Sequence, residues 1–209
     1  MNSANAGLLA GFIINVLQSS GYWGVLGLMA IESACLPLPS EIILPFAGYL
    51  VSTGRLTLFL VATVGALGCN LGSAIAYEVG AHGGRPAVRR WGRYVLLSED
   101  DLEKAEWFFN RFGGPAVFIG RMLPVIRTFI ALPAGIAHMP RLRFHLYTFA
   151  GSWPWCFLLA WIGMKLGNAW GTNPALHAVF HYFDYAVAVI ALIVIARFVW
   201  SRRGRQRRV

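Results

Sequence analysis

The chain has 209 residues, 57% hydrophobic and 13% charged, with a formal net charge of +9 and a mean hydropathy of +0.57. A soluble globular domain carries about 25% charged residues, so the composition argues against a water-soluble fold and for one all-α polytopic membrane domain over 1–209, undivided by any polar linker. The cations gather at the ends of apolar stretches rather than along one face with stacking aromatics, which argues against a nucleic-acid partner and fits the positive-inside rule.

From the N-terminus, no Lys or Arg precedes Arg55, so the basic n-region of a cleavable signal peptide is missing and the chain is read as mature. Residues 7–18 are apolar but short for a span and suit an interfacial helix; the sequence leaves their placement open. Residues 22–50 are apolar again, yet hold Glu32, Pro37, Pro39, Glu41 and Pro45. Prolines this close cannot share one unbroken helix, so the segment predicts a re-entrant helical hairpin, its broken backbone covered by protein or a watery cavity.

Residues 56–79 predict a transmembrane helix, followed by a basic stretch with Arg85, Arg89, Arg90 and Arg93. Ser98 is placed to cap a helix over 101–113, whose Trp107, Phe108 and Phe112 make it an amphipathic helix at the membrane surface. Residues 115–139 repeat the broken pattern with Arg121, Pro124, Arg127 and Pro133 and predict a second hairpin. Residues 144–166 and 182–200 are read as further spans, and 201–209 as a basic cytoplasmic tail with five arginines. With 81–114 cytoplasmic, the cation distribution puts 138–143 and the C-terminus inside and 167–175 outside, so the hairpins open to opposite sides. Cys35, Cys69 and Cys156 are widely spaced in apolar sequence and read as small core residues rather than a disulfide framework or metal site.

Internal comparison sets Leu36-Pro37 and Leu44-Pro45-Phe46-Ala47-Gly48 beside Leu123-Pro124 and Leu132-Pro133-Ala134-Gly135. Coincidence is the alternative in sequence so rich in these pairs. An inverted repeat of broken helices is how many secondary transporters build a midplane substrate site. The first hairpin supplies only carboxylates, Glu32 and Glu41, and the second only guanidinium groups, Arg121 and Arg127. Ionisable groups inside a membrane are costly unless paired or hydrated, and facing hairpins would pair these. Each charge alone also has a plain structural reading: Ser40 capping a helix that starts at Glu41, or Arg121 snorkelling to the interface.

The motifs IESACLPLPSEIILPFAGYL at 31–50 and FIGRMLPVIRTFIALPAGIAHMPRLRF at 118–144, with Gly151-Ser152-Trp153, resemble the DedA family of bacterial membrane proteins. The resemblance extends from about residue 22 to 165. It implies two opposed re-entrant hairpins, a place in membrane homeostasis and dependence on the proton motive force. It also implies that the family's essential acids fall on Glu32 and Glu41 and its essential arginines on Arg121 and Arg127. The PSE form of the first motif resembles the branch implicated in returning undecaprenyl phosphate across the bacterial inner membrane.

The expected activity is therefore a lipid flippase for a polyprenyl phosphate, coupled to protons. Arg121 and Arg127 would hold the phosphate through bidentate donors. Glu32 and Glu41 would hold the arginines until protonated, and Pro37, Pro39, Pro45, Gly48, Pro124, Pro133 and Gly135 would shape the two hairpins. A phospholipid scramblase without proton coupling is the main rival, and a lipid phosphatase a lesser one, because neither hairpin core offers a His base. His177, His181 and Asp184 have helical spacing but are read as interfacial rather than as metal ligands. No cofactor or catalytic group is implied, and self-association is compatible with the sequence.

Overall fold

Why most of the chain is helical follows from its long apolar runs, which in lipid must satisfy every backbone group internally. The computed structural model describes residues 3–34, 38–95, 99–123 and 126–167, and all the regular structure among them is helical. The helices are α1 (Ser3–Ser20), α2 (Tyr22–Ser33), α3 (Ser40–Ser52), α4 (Leu58–Val95), α5 (Glu99–Met122), α6 (Ile126–Phe129), α7 (Ala131–Ile136) and α8 (Arg141–Leu166). The last expected span at 182–200, the basic tail, the 167–175 loop beyond Gly167 and the His177, His181 and Asp184 group lie outside the described residues, as do Cys35, Ser98 and the prolines Pro37 and Pro124.

Both proline-rich segments are broken as the sequence predicts. The first divides into α2 and α3, with Pro39 in extended backbone (φ −78°, ψ 102°) at the N-cap of α3. The second divides at the end of α5 into the short α6 and α7. Two helices run on beyond the expected segments. The helix starting at Leu58 continues through the basic stretch to Val95, because arginine is a good helix former and charge marks the membrane edge, not a helix end. The expected surface helix at 101–113 is joined to the first limb of the second broken segment, the two meeting at a kink where Gly113 has φ 39°. Glycine tolerates that backbone where other residues would be strained.

Helices α4 and α8 pack on each other at the centre; α2 and α7 pack on α4, and α3 and α5 on α8. These contacts are close enough to demand glycine. A β-carbon on Gly48 would strike the Ala160 carbonyl and one on Gly163 the Pro45 carbonyl, while Gly80 and Gly135 bear the same relation to the carbonyls of Leu132 and Tyr77. Gly163→Val is thus expected to destabilise the purified protein by about 1–3 kcal/mol or more, read as a lowered midpoint in thermal unfolding. An unchanged midpoint would mean that α3 and α8 can separate without cost.

The outside of the bundle is apolar. Leu67, Leu71, Ile75 and Val79 recur every fourth residue along the exposed face of α4, and Leu142, Leu146, Leu158 and Trp161 are exposed on α8. Among the described residues one helix, Leu58–Gly83 within α4, is long and apolar enough to cross a bilayer by length and composition. Large apolar residues outside and charges inside is the arrangement that a hydrocarbon solvent selects.

Candidate functional site

The interior holds two apolar cores. One joins Ile13 and Leu17 of α1 with α2, α3, Cys69 of α4 and Cys156 of α8. The other joins Ala76 and Tyr77 of α4 with Phe109, Val117, Ala131, Ala134 and Phe144. Between Cys69 and Ala76 on α4 lies buried Ser73, and between Phe144 and Cys156 on α8 lie buried Thr148 and Ser152. A polar layer thus separates the two cores. Ser73 is ten residues from Gly83, about 15 Å at helical rise, which puts the layer well inside the apolar stretch.

Three of the four charges predicted for the hairpins, Glu32, Arg121 and Arg127, lie buried at this layer. Glu32 ends α2, Ser40 starts α3, Arg121 ends α5 and Arg127 lies in α6, so each is delivered by a helix end at a break. Arg121 is 2% exposed, and Glu32 and Arg127 are 5% exposed. Arg127 donates to the Glu32 carboxylate in a buried ion pair and to the Ser40 hydroxyl at 2.5 Å, and its guanidinium carbon lies 5.3 Å from the centre of the Trp155 ring. The ring face adds a modest attraction for the cation. Arg121 donates to the Ser73 hydroxyl, which in turn donates to the Cys69 carbonyl at 2.5 Å. Among the described residues Arg121 makes no ion pair, and its Nε is buried without a hydrogen-bond partner.

Glu41 lies outside the buried ion pair. It is only partly buried, in the first turn of α3, and the buried ion pair among the described residues joins Arg127 to Glu32 alone. The shaping residues Pro45 and Gly48 sit in the buried part of α3 against α8, and Gly135 sits in α7 against α4 with Pro133 two residues before it. Ser73, Thr148 and Trp155 had no sequence signal beyond being polar or amphipathic in an apolar helix. Cys69 and Cys156 are free and buried, as small core residues would be.

A family model described as the VTT domain matches residues 38–165. The chain belongs to this family, that of the DedA proteins. It is 38% identical over 194 residues to the uncharacterized membrane protein YkoX of Bacillus subtilis, covering 92% of this chain and 85% of that one. It is 34% identical over 191 residues to undecaprenyl phosphate transporter A of the same organism, covering 91% and 92%. An alkaline phosphatase-like protein of Lactococcus lactis subsp. cremoris is 32% identical over 188 residues, covering 88% of this chain and 87% of its own. No solved structure matches the chain significantly. This VTT-domain chain is a membrane protein, and the matched region holds α3, the second broken segment and both arginines, with α2 and its Glu32 lying just before it.

Proposed function

We propose that this protein carries a polyprenyl phosphate, undecaprenyl phosphate, across the bacterial cytoplasmic membrane, the phosphate passing through the polar layer while the chain stays in lipid. The observation that carries the reading is two guanidinium groups buried on either side of the second helix break, of which Arg127 alone is paired with a carboxylate among the described residues. A buried cation without a counter-ion is costly, and a phosphate oxygen is the ligand whose geometry suits its unused donors. The similarity to a protein named undecaprenyl phosphate transporter A favours this lipid.

Proton coupling follows if Glu32 is the switch. The ionised carboxylate holds Arg127; once protonated it releases the guanidinium to the phosphate. An inverted repeat gives the site two-sided access. In its support, α2 packs on α4 as α5 does on α8, and α3 packs on α8 as α7 does on α4. The aligned Gly48 and Gly135 both seat on a neighbouring helix carbonyl. Each broken segment, in this reading, is a re-entrant hairpin, the two open to opposite faces, and the C-terminus is cytoplasmic.

The test is reconstitution of the full chain in liposomes with labelled undecaprenyl phosphate and labelled phosphatidylethanolamine, with and without an imposed proton gradient. The expected result is selective, gradient-driven movement of the first lipid, which Glu32→Gln makes insensitive to the gradient and Glu41→Gln does not. Equal movement of both lipids in either condition would replace the flippase with a scramblase. Release of inorganic phosphate from the lipid would replace it with an enzyme.

A further inference from the structure

The polar layer has a third wall that the charges alone do not reveal. On α8, Thr148, Gly151, Ser152 and Trp155 fall at i, i+3, i+4 and i+7, a single stripe of the helix. That stripe faces the arginines: a β-carbon on Gly151 would lie 2.9 Å from the β-carbon of Arg121, and the Trp155 ring sits beside the Arg127 guanidinium. Two of its polar atoms, the Thr148 hydroxyl and the Trp155 indole nitrogen, are buried without a hydrogen-bond partner, as is Arg121 Nε. Buried donors are rarely left unpaired in native structures. Indole N–H and guanidinium N–H can only donate, and the hydroxyl can donate as well. An acceptor with several oxygens would suit these donors, while the fourth unpaired atom of the layer, Glu32 Oε2, is itself an acceptor.

We infer that Thr148 and Trp155 are headgroup-binding residues, supplying the α8 side of a pocket that selects a phosphate monoester over a phosphodiester. This rests on the reading of the site as a lipid phosphate carrier and names its substrate class. A monoester presents three terminal oxygens, and a diester two and a second bulky substituent. The arginines approach from the α5 and α6 side, so donors on α8 are placed for an oxygen that the arginines leave uncovered. In a diester that position is open to an ester oxygen, a far weaker acceptor, and to its substituent. The α8 donors therefore act on the difference between the two headgroups more than on charge.

The experiment is a binding measurement on the detergent-purified full chain with farnesyl phosphate as the monoester probe, short-chain phosphatidylglycerol as the diester and inorganic phosphate as the free anion. Thr148→Val keeps the side-chain shape, and Trp155→Phe keeps an aromatic face for Arg127 while removing the N–H. Each is expected to weaken farnesyl phosphate binding about tenfold, and the pair more, with diester binding little changed and thermal stability retained. Unchanged preference for the monoester in the double variant would overturn the inference, as would inorganic phosphate competing as well as farnesyl phosphate. Transport is measured separately. Monoester binding that depends on Thr148 and Trp155, in a protein that moves no lipid, would sink the carrier reading and leave this one standing, whereas lipid transport with variant-insensitive binding would do the reverse.

Discussion

Arg127→Ala is expected to lower the stability of the purified protein by about 3–5 kcal/mol, because it strands the Glu32 carboxylate in an interior where it is 5% exposed. The loss comes from the carboxylate left behind rather than from the bond removed. A double variant, Glu32→Gln with Arg127→Gln, keeps two amides that can hydrogen-bond to each other and to Ser40 and carries no buried charge, so its stability should return to near that of the native protein. The coupling energy from the four proteins of this cycle should exceed about 2 kcal/mol. Transport should fall at least a hundredfold in the single variant and stay lost in the double, since neither has the guanidinium for the phosphate. Arg127→Lys separates charge from geometry: it keeps a cation beside Glu32 and hence most of the stability, but loses the planar fork. Full transport by the lysine variant would show that the headgroup is held by charge alone. A double variant as unstable as the single would mean that the pair holds the helix breaks together in its own right.

Part of this was legible in the sequence, for physical reasons that differ from residue to residue. Pro39 announces a broken helix because a missing amide donor is a local property, whereas Pro45 and Pro133 lie within α3 and α7. Glu32, Arg121 and Arg127 announce a buried site because charge in an apolar run has few structural excuses. Which charges pair was not legible. Opposite signs predicted an association of acids with arginines, and the fold gives Arg127 to Glu32 and Arg121 to a serine, with Glu41 outside the buried pair. Those choices depend on how α2 and α5 lie against α4, and no local rule contains that. Ser73, Thr148 and Trp155 were invisible for a related reason. A hydroxyl or indole in an apolar helix costs little facing either lipid headgroups or a bundle, and only the phase set by Gly151 and Gly163 against their neighbours turns the stripe inward. Hydropathy reads the membrane span within α4 but not where the helix ends, because arginine continues a helix past its apolar run.

Arg121 should behave oppositely to Arg127 although the two are chemically identical. It is more deeply buried, at 2% exposure, no carboxylate among the described residues pairs with it, and its hydrogen bond goes to the neutral hydroxyl of Ser73. Replacing it by methionine, which fills a similar volume without charge, removes an uncompensated desolvation cost and leaves no carboxylate stranded. The fold of Arg121→Met should therefore be as stable as the native protein or more so, by up to about 1–4 kcal/mol on the scale of buried charges exchanged for apolar side chains. Transport should drop at least a hundredfold, because the free Nε and the charge that draw the phosphate in are gone. Stabilisation joined to loss of function is what separates a residue kept for its ligand from one kept for the fold. Thermal unfolding and vesicle transport of this one variant decide it: a destabilised Arg121→Met would make the arginine a structural tie between α5 and α4, and an active one would move phosphate recognition to Arg127 alone.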